Sequence, residues 1–516
     1  MGVGATPVLF DLDADFSTYN LVALAANNTG VVMQRIFSLA LAATVVTLTG
    51  SGPAFTVDEA VIVTRGSRAY DGLLEEPNAS AAVTVAAADG FDVAALLAAA
   101  RGAPPMICAL AAQAVRGNSW NDWSDAPSSP LPRVALPRAR NHRRDHEGDS
   151  PALATADVQR LLEALASDDA CVRELSVRLI GREEDSTVAP GLVTRLKSGT
   201  AALREVAALG LGLVGAESAA DPLIGALRDG EPGVRANAAW ALGRLDDGRA
   251  VTPLVGLFRD PAEAVRASAV GAVGRLDSVS SSAALIRVLR QDEAASVRRV
   301  AAWALGQLEA HEAVAALGTA LAGDSDANVR EMAAWALGSI EDRGGTAALT
   351  TAVRRDADDD VRETAAWALA EIGDRSASET LGQVAATDKS SRVRGTAAWG
   401  IGQVEEEDGR APAGLLQALK DQSADTRLKA AWALGQIGDS AALPAIRDAL
   451  KQEHSGDVSR ALIRAMMKSG ERSEAALNEL LNSKDARVRE VAVRGLAGNS
   501  SFNPWPWPWP RPRPFP

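Results

Sequence analysis

Few residues in this chain have the types and spacing that chemistry needs. Four histidines, His142, His146, His311 and His454, serve 516 residues. His142 and His146 stand four apart beside Asp145 and Glu147, a spacing that on a helix could hold a metal ion. Their surroundings, Ser119–Pro151, are rich in Pro, Ser and Arg and carry no apolar period, so a solvated basic stretch is the expectation. No HExxH, Gly-x-Ser-x-Gly or phosphate-loop pattern occurs. No catalytic residue, metal site or cofactor is therefore assigned. What recurs instead is tryptophan. AAWALG stands at 238–243, 301–306, 333–338 and 430–435, with AAWALA at 365–370 and AAWGIG at 397–402. Trp240, Trp303, Trp335, Trp367, Trp399 and Trp432 either offer their indoles to a ligand or seal the seams between repeats.

The elements that position them repeat. Arg173, Arg204, Arg235, Arg266, Arg298, Arg330, Arg362, Arg394, Arg427 and Arg489 are 31 to 33 residues apart, except for a last gap of 62 in which Ser459 fills the empty slot. This makes eleven units over 153–498, each read as two short helices. Pro222, Pro253 and Pro444 suit the first turn of a first helix. Between the helices, Asp229, Asp260, Asp292, Asp324, Asp356, Asp388 and Asp421 each stand six residues before the reference Arg. A short acceptor there satisfies free backbone donors at a turn, which makes these aspartates structural rather than catalytic.

Val234, Arg235, Ala238, Ala239, Ala241, Leu242 and Gly243 match a known pattern: Val-Arg, two variable residues, Ala-Ala, one variable residue, Ala-Leu-Gly. In this the units resemble HEAT-like repeats of the phycobilisome-lyase type. The resemblance implies an all-α, right-handed solenoid with the second helices lining its concave face, and it leaves function open. It also raises an enzymatic alternative, a bilin lyase or a metalloenzyme like deoxyhypusine hydroxylase, which sets several His-Glu pairs on repeat helices. Here only His146-Glu147 and His311-Glu312 occur.

On a helical wheel, Val234, Ala238, Ala241, Leu242 and Leu245 share one face, and Trp240 falls about 150° from its centre. The expectation is a row of outward indoles along the concave face, broken at Gly271 and replaced by Arg178, Leu209, Arg464 and Arg494 at the array ends. The tail, 499–516, contains FNPWPWPWPRPRPFP, which must be extended. Polyproline II turns once per ~9.3 Å, close to a ~10 Å repeat step, so such a ribbon could meet one repeat per turn.

Acidic residues exceed basic ones, 66 to 53, which argues against a nucleic-acid partner. MQRIFSLALAATVVTLTGSGPA, 33–54, has one Arg, an apolar run and small residues at Gly52 and Ala54, the layout of a secretory signal peptide. Residues 1–32 then read as a mis-assigned upstream stretch. Their VLFDLDAD resembles the first motif of haloacid-dehalogenase-type phosphatases, but Ala14-Asp15 stand where Gly-Thr should follow. Residues 55–117 read as a small α/β region, with Asp92 starting a helix and Gly102 and Gly117 as stops, and 118–152 as a linker. Cys108 and Cys171 can form one bond in an oxidising compartment. The resulting expectation is a periplasmic or secreted scaffold without a membrane span once the signal is removed. It would bind a protein or proline-rich peptide, its own tail included, through its concave face.

Overall fold

The computed structural model describes residues 92–104 and 153–471 with breaks at 184, 277 and 405–408, together with scattered helical residues outside them and the backbone of four short strands. The strands pair antiparallel, Val45–Thr49 with Ala82–Ala86 and Ala23–Leu24 with Ala60–Val61. The expected signal (apart from Val45–Thr49), the linker over 118–152 and the tail lie outside the described residues. The chain forms two compact units, Met1–Leu245 and Asp246–Pro516.

The first unit opens with α1, Val93–Ala100. Asp92 starts it as expected, accepting from the amide of Ala95, and Gly102 ends it at φ +71°. The repeats follow as α2 (Thr155–Ala164), α3 (Ala170–Ile180), α4 (Asp185–Ser198), α5 (Ala201–Val214), α6 (Ala220–Ala226) and α7 (Pro232–Leu245). Helix α1 packs on α2 and α3, and a disulfide joins Cys108 to Cys171 with Cα atoms 5.7 Å apart. The helical part of the 55–117 region thus closes the N-terminal end of the array.

The second unit continues with first helices α8 (Val251–Gly256), α10 (Ser282–Gln291), α12 (Val314–Gly323), α14 (Thr346–Arg355), α16 (Ser378–Thr387), α18 (Ala413–Ala418) and α20 (Leu443–Gln452). They alternate with second helices α9 (Glu263–Arg275), α11 (Ala295–Gln307), α13 (Ala327–Ile340), α15 (Asp359–Ile372), α17 (Ser391–Val404), α19 (Ala424–Ile437) and α21 (Gly456–Lys468). The eleventh unit, around Arg489, falls largely outside the described residues. Many second helices end on a left-handed residue, Gly373 and Gly438 at φ +64° and +71° and Glu341 at +54°, which turns the chain into the next hairpin. A second aspartate row opens that hairpin: Asp342, Asp374 and Asp439 accept from the amides of Gly344, Ser376 and Ala441 at 2.7, 3.0 and 2.9 Å. The predicted core face holds, since Val234, Ala238, Ala241 and Leu242 are fully buried and Leu245 nearly so.

The tryptophans are not outward. Trp240, Trp303, Trp335, Trp367 and Trp399 are 1–8% exposed, and only Trp432 is half-buried. The reason is that each second helix lies against its own first helix and also against neighbouring second helices. More than one face of it is interior, so the wheel's opposite side is a seam and not a surface.

Candidate functional site

Each seam is built from the letters of the repeated motif. A Cβ placed on Gly306 would stand 2.8 Å from Trp335 Cζ3 and 2.9 Å from the Cα of Ala336; on Gly338, 2.9 Å from Trp367 Cζ3 and 2.8 Å from the Cα of Ala368. Gly212 meets Trp240 and Ala241 in the same way, Gly274 meets Trp303 and Ala304, and Gly402 meets Trp432 and Ala433. The final Gly of one motif is therefore the floor on which the next repeat's indole lies, and the Ala after Trp is small because backbones approach there. The two near copies explain each other. Ala370 replaces that Gly in AAWALA, and in the next repeat Gly400 replaces the Ala of AAWGIG. A Cβ on Gly400 would stand 3.2 Å from Ala370 Cβ, so this seam also holds one methyl, contributed from the other side.

A second ladder runs along the hinges. Arg298 grips the Asp324 carboxylate through Nε and Nη2, both at 2.8 Å, while its Nη1 donates to the carbonyl of Asp292 at 2.9 Å. The same fork joins Arg204 to Asp229, Arg266 to Asp292, Arg330 to Asp356, Arg362 to Asp388, Arg394 to Asp421 and Arg427 to Glu453. Each acid thus ties its own turn to the preceding repeat: Asp324 Oδ1 also accepts from the amide of Asp326 at 3.0 Å. All seven predicted hinge aspartates accept such an amide, as their spacing implied. Burial alone would raise the carboxyls of Asp324, Asp356 and Asp421, but the guanidinium and the amide hold them below the usual range. Two shallow openings of about 550 and 410 Å³ sit beside equivalent rungs, near Arg204 and Asp229 and near Arg362 and Asp388.

What the second helices leave accessible is polar. Seven residues before the tryptophan stand Ser296, Asn328, Asp360, Arg392 and Asp425; four after it stand Gln307, Ser339, Glu371, Gln403 and Gln436. Arg392 links two repeats, reaching Asp359 at 3.2 Å, Asp360 at 2.7 Å and Glu363 at 2.7 Å. Burial pushes the Glu363 and Glu371 carboxyls up; Glu341 adds to this at Glu371, against a hydrogen bond from Trp367. His311 is exposed and pairs with Asp342 at 3.0 Å, and His454 is exposed; His142 and His146 lie outside the described residues. Among the described residues, no group of three or more His, Cys, Asp or Glu is placed to hold a metal, and no helix is long and apolar enough to cross a membrane.

A model of HEAT repeats matches residues 189–274, 221–305, 282–370, 346–413 and 412–497. None of the curated proteins compared matches the chain. Among solved structures, an engineered protein is 21% identical over 67% of this chain and 99% of its own, with a TM-score of 0.35. The CpcE–CpcF complex of phycocyanin lyase from Nostoc is 21% identical over 54% and 92%, at 0.30. Human deoxyhypusine hydroxylase is 22% identical over 48% and 96%, at 0.23.

Proposed function

This chain belongs to the HEAT-repeat family, and from that premise we propose that it is an exported scaffold holding a protein partner along the polar edge of its second helices. The observation that carries this reading is a fixed framework with variable side chains. The buried Trp, Gly and Ala repeat, while the accessible positions around them change from Ser to Asn, Asp, Arg and Asp. A surface of that kind recognises one extended partner by a sequence of small contacts. The buried indoles have little area to give, so the ladder of aromatic–proline stacking expected from the wheel is not what would hold a peptide. Charge is the better handle. Three carboxylates, Asp359, Asp360 and Glu363, gather at Arg392, and the tail brings Arg511 and Arg513.

The expected result is that the array lacking residues 503–516 binds the peptide NPWPWPWPRPRPFP. Asp360→Asn with Glu363→Gln weakens it several-fold, and added salt weakens it further. A peptide that does not bind, or binds equally well to the neutralised variant in high salt, sinks this part of the reading. Export is supported by the pattern over 33–54 and by the Cys108–Cys171 bond, which persists in oxidising compartments. Protein from its native host should begin near Phe55; material that begins at Met1 would refute export.

A further inference from the structure

The N-terminal end of the array is closed differently from every interior seam described above. At the position occupied elsewhere by tryptophan, α3 carries Arg178, which is 5% exposed and bonded to Glu174 at 2.8 Å. Cys171 stands seven residues before Arg178, the position from which Arg392 reaches back to the preceding repeat. Here the preceding element is α1, and the reach is the disulfide. The apolar hold of α1 is small: Val93, Leu96, Leu97, Ala99 and Ala100 on a helix of eight residues, too short to be stable alone. Among the described residues, a polar tie from the amide of Gly102 to Asp169 Oδ2 at 2.7 Å joins the end of α1 to the start of α3.

An ion pair gains little from being covered and tolerates water when uncovered. Asp169 keeps its other role whether or not α1 is present, since its Oδ1 accepts the amides of Cys171 and Val172 at 2.9 and 3.1 Å and so starts α3. The end of the first repeat thus carries a buried charge pair and a self-sufficient helix cap where an interior seam carries Trp on Gly. We propose that the Cys108–Cys171 disulfide is a redox latch on a detachable end cap, and that reduction by a dithiol lets α1 leave and bares the charged end of the first repeat. The chemistry is ordinary exchange. One thiolate of the dithiol attacks a cystine sulfur, and the released cysteine thiolate takes a proton. The second thiol then closes the donor's own disulfide and frees the other cysteine. Two electrons pass from donor to protein, and nothing else is consumed. Both cysteines are buried, so attack requires this end of the array to open and the reduction rate reports how often it does.

Hydrogen exchange on the full chain tests this, comparing oxidised protein, protein reduced with dithiothreitol and alkylated, and the Cys108→Ser/Cys171→Ser variant. Reduction should accelerate exchange in 93–100 on the order of a hundredfold and leave 295–437 unchanged, because opening at a solenoid end is local. The double variant should match the reduced protein, and reoxidation of unalkylated protein should restore protection. Equal protection of 93–100 in both redox states, or loss of protection spreading through 295–437, would overturn the latch.

Discussion

Trp303→Ala is expected to cost the array about 3–5 kcal/mol, the range for deleting a buried aromatic side chain. Trp303 is 2% exposed, and a Cβ on Gly274 would already stand 3.1 Å from its ring. Removing the ring leaves a void between two second helices whose backbones are set by the Gly274–Ala304 approach, and neither helix can move in without disturbing its other neighbour. The loss therefore falls on the α9–α11 seam. In a solenoid, weakening one interior seam uncouples the units on either side, so denaturant unfolding should broaden or split as well as shift. Circular dichroism of Trp303→Ala in urea reads both effects. A change under about 1 kcal/mol would place the indole among surface residues, where substitutions matter little.

The sequence and the structure part company at this same residue. Hydrophobic periodicity located a buried stripe correctly, since Val234, Ala238, Ala241, Leu242 and Leu245 are all buried, but Ala241 of that stripe already meets Gly212 of the preceding second helix. A wheel drawn for a one-faced helix then sends Trp240 outward. The contrary signal was also in the letters. AAWALG is small or apolar all the way round, so over these six residues the helix offers no polar side to water. The paired exceptions AAWALA and AAWGIG stand in adjacent repeats, which is the signature of a contact between them. The Arg and Asp rows were legible as rows, and the turn amides held by Asp were predicted. Their pairing was not, because it joins residues 25 to 27 apart through stacked hinges that no single hairpin reveals. The place of α1 was illegible for a similar reason: 118–152 carries no pattern that says where the chain returns.

The second large effect belongs to that Arg–Asp ladder. Arg298→Ala should destabilise the array by about 3 kcal/mol, since it strands the Asp324 carboxylate in a site that is 8% exposed. It also removes the donor to the Asp292 carbonyl. Arg298→Met with Asp324→Asn should recover most of the loss, because the neutral amide still accepts from Asp326 and no buried charge is left unpaired. Acid provides an independent reading. The carboxyls of Asp324, Asp356 and Asp421 are held below their unfolded values, so their contribution is complete above about pH 4 and is lost as pH falls through the lower folded values. Their arginine partners are raised and stay charged throughout. Glu363 and Glu371 act in the opposite direction, since their raised carboxyls gain stability on protonation just above that window. Stability of the wild-type chain should therefore decline steeply below about pH 4, and Arg298→Ala should decline less, having already lost the pairing that depresses Asp324. Parallel acid profiles for the two proteins, with the double variant no better than the single, would mean that the fork adds nothing beyond the cap.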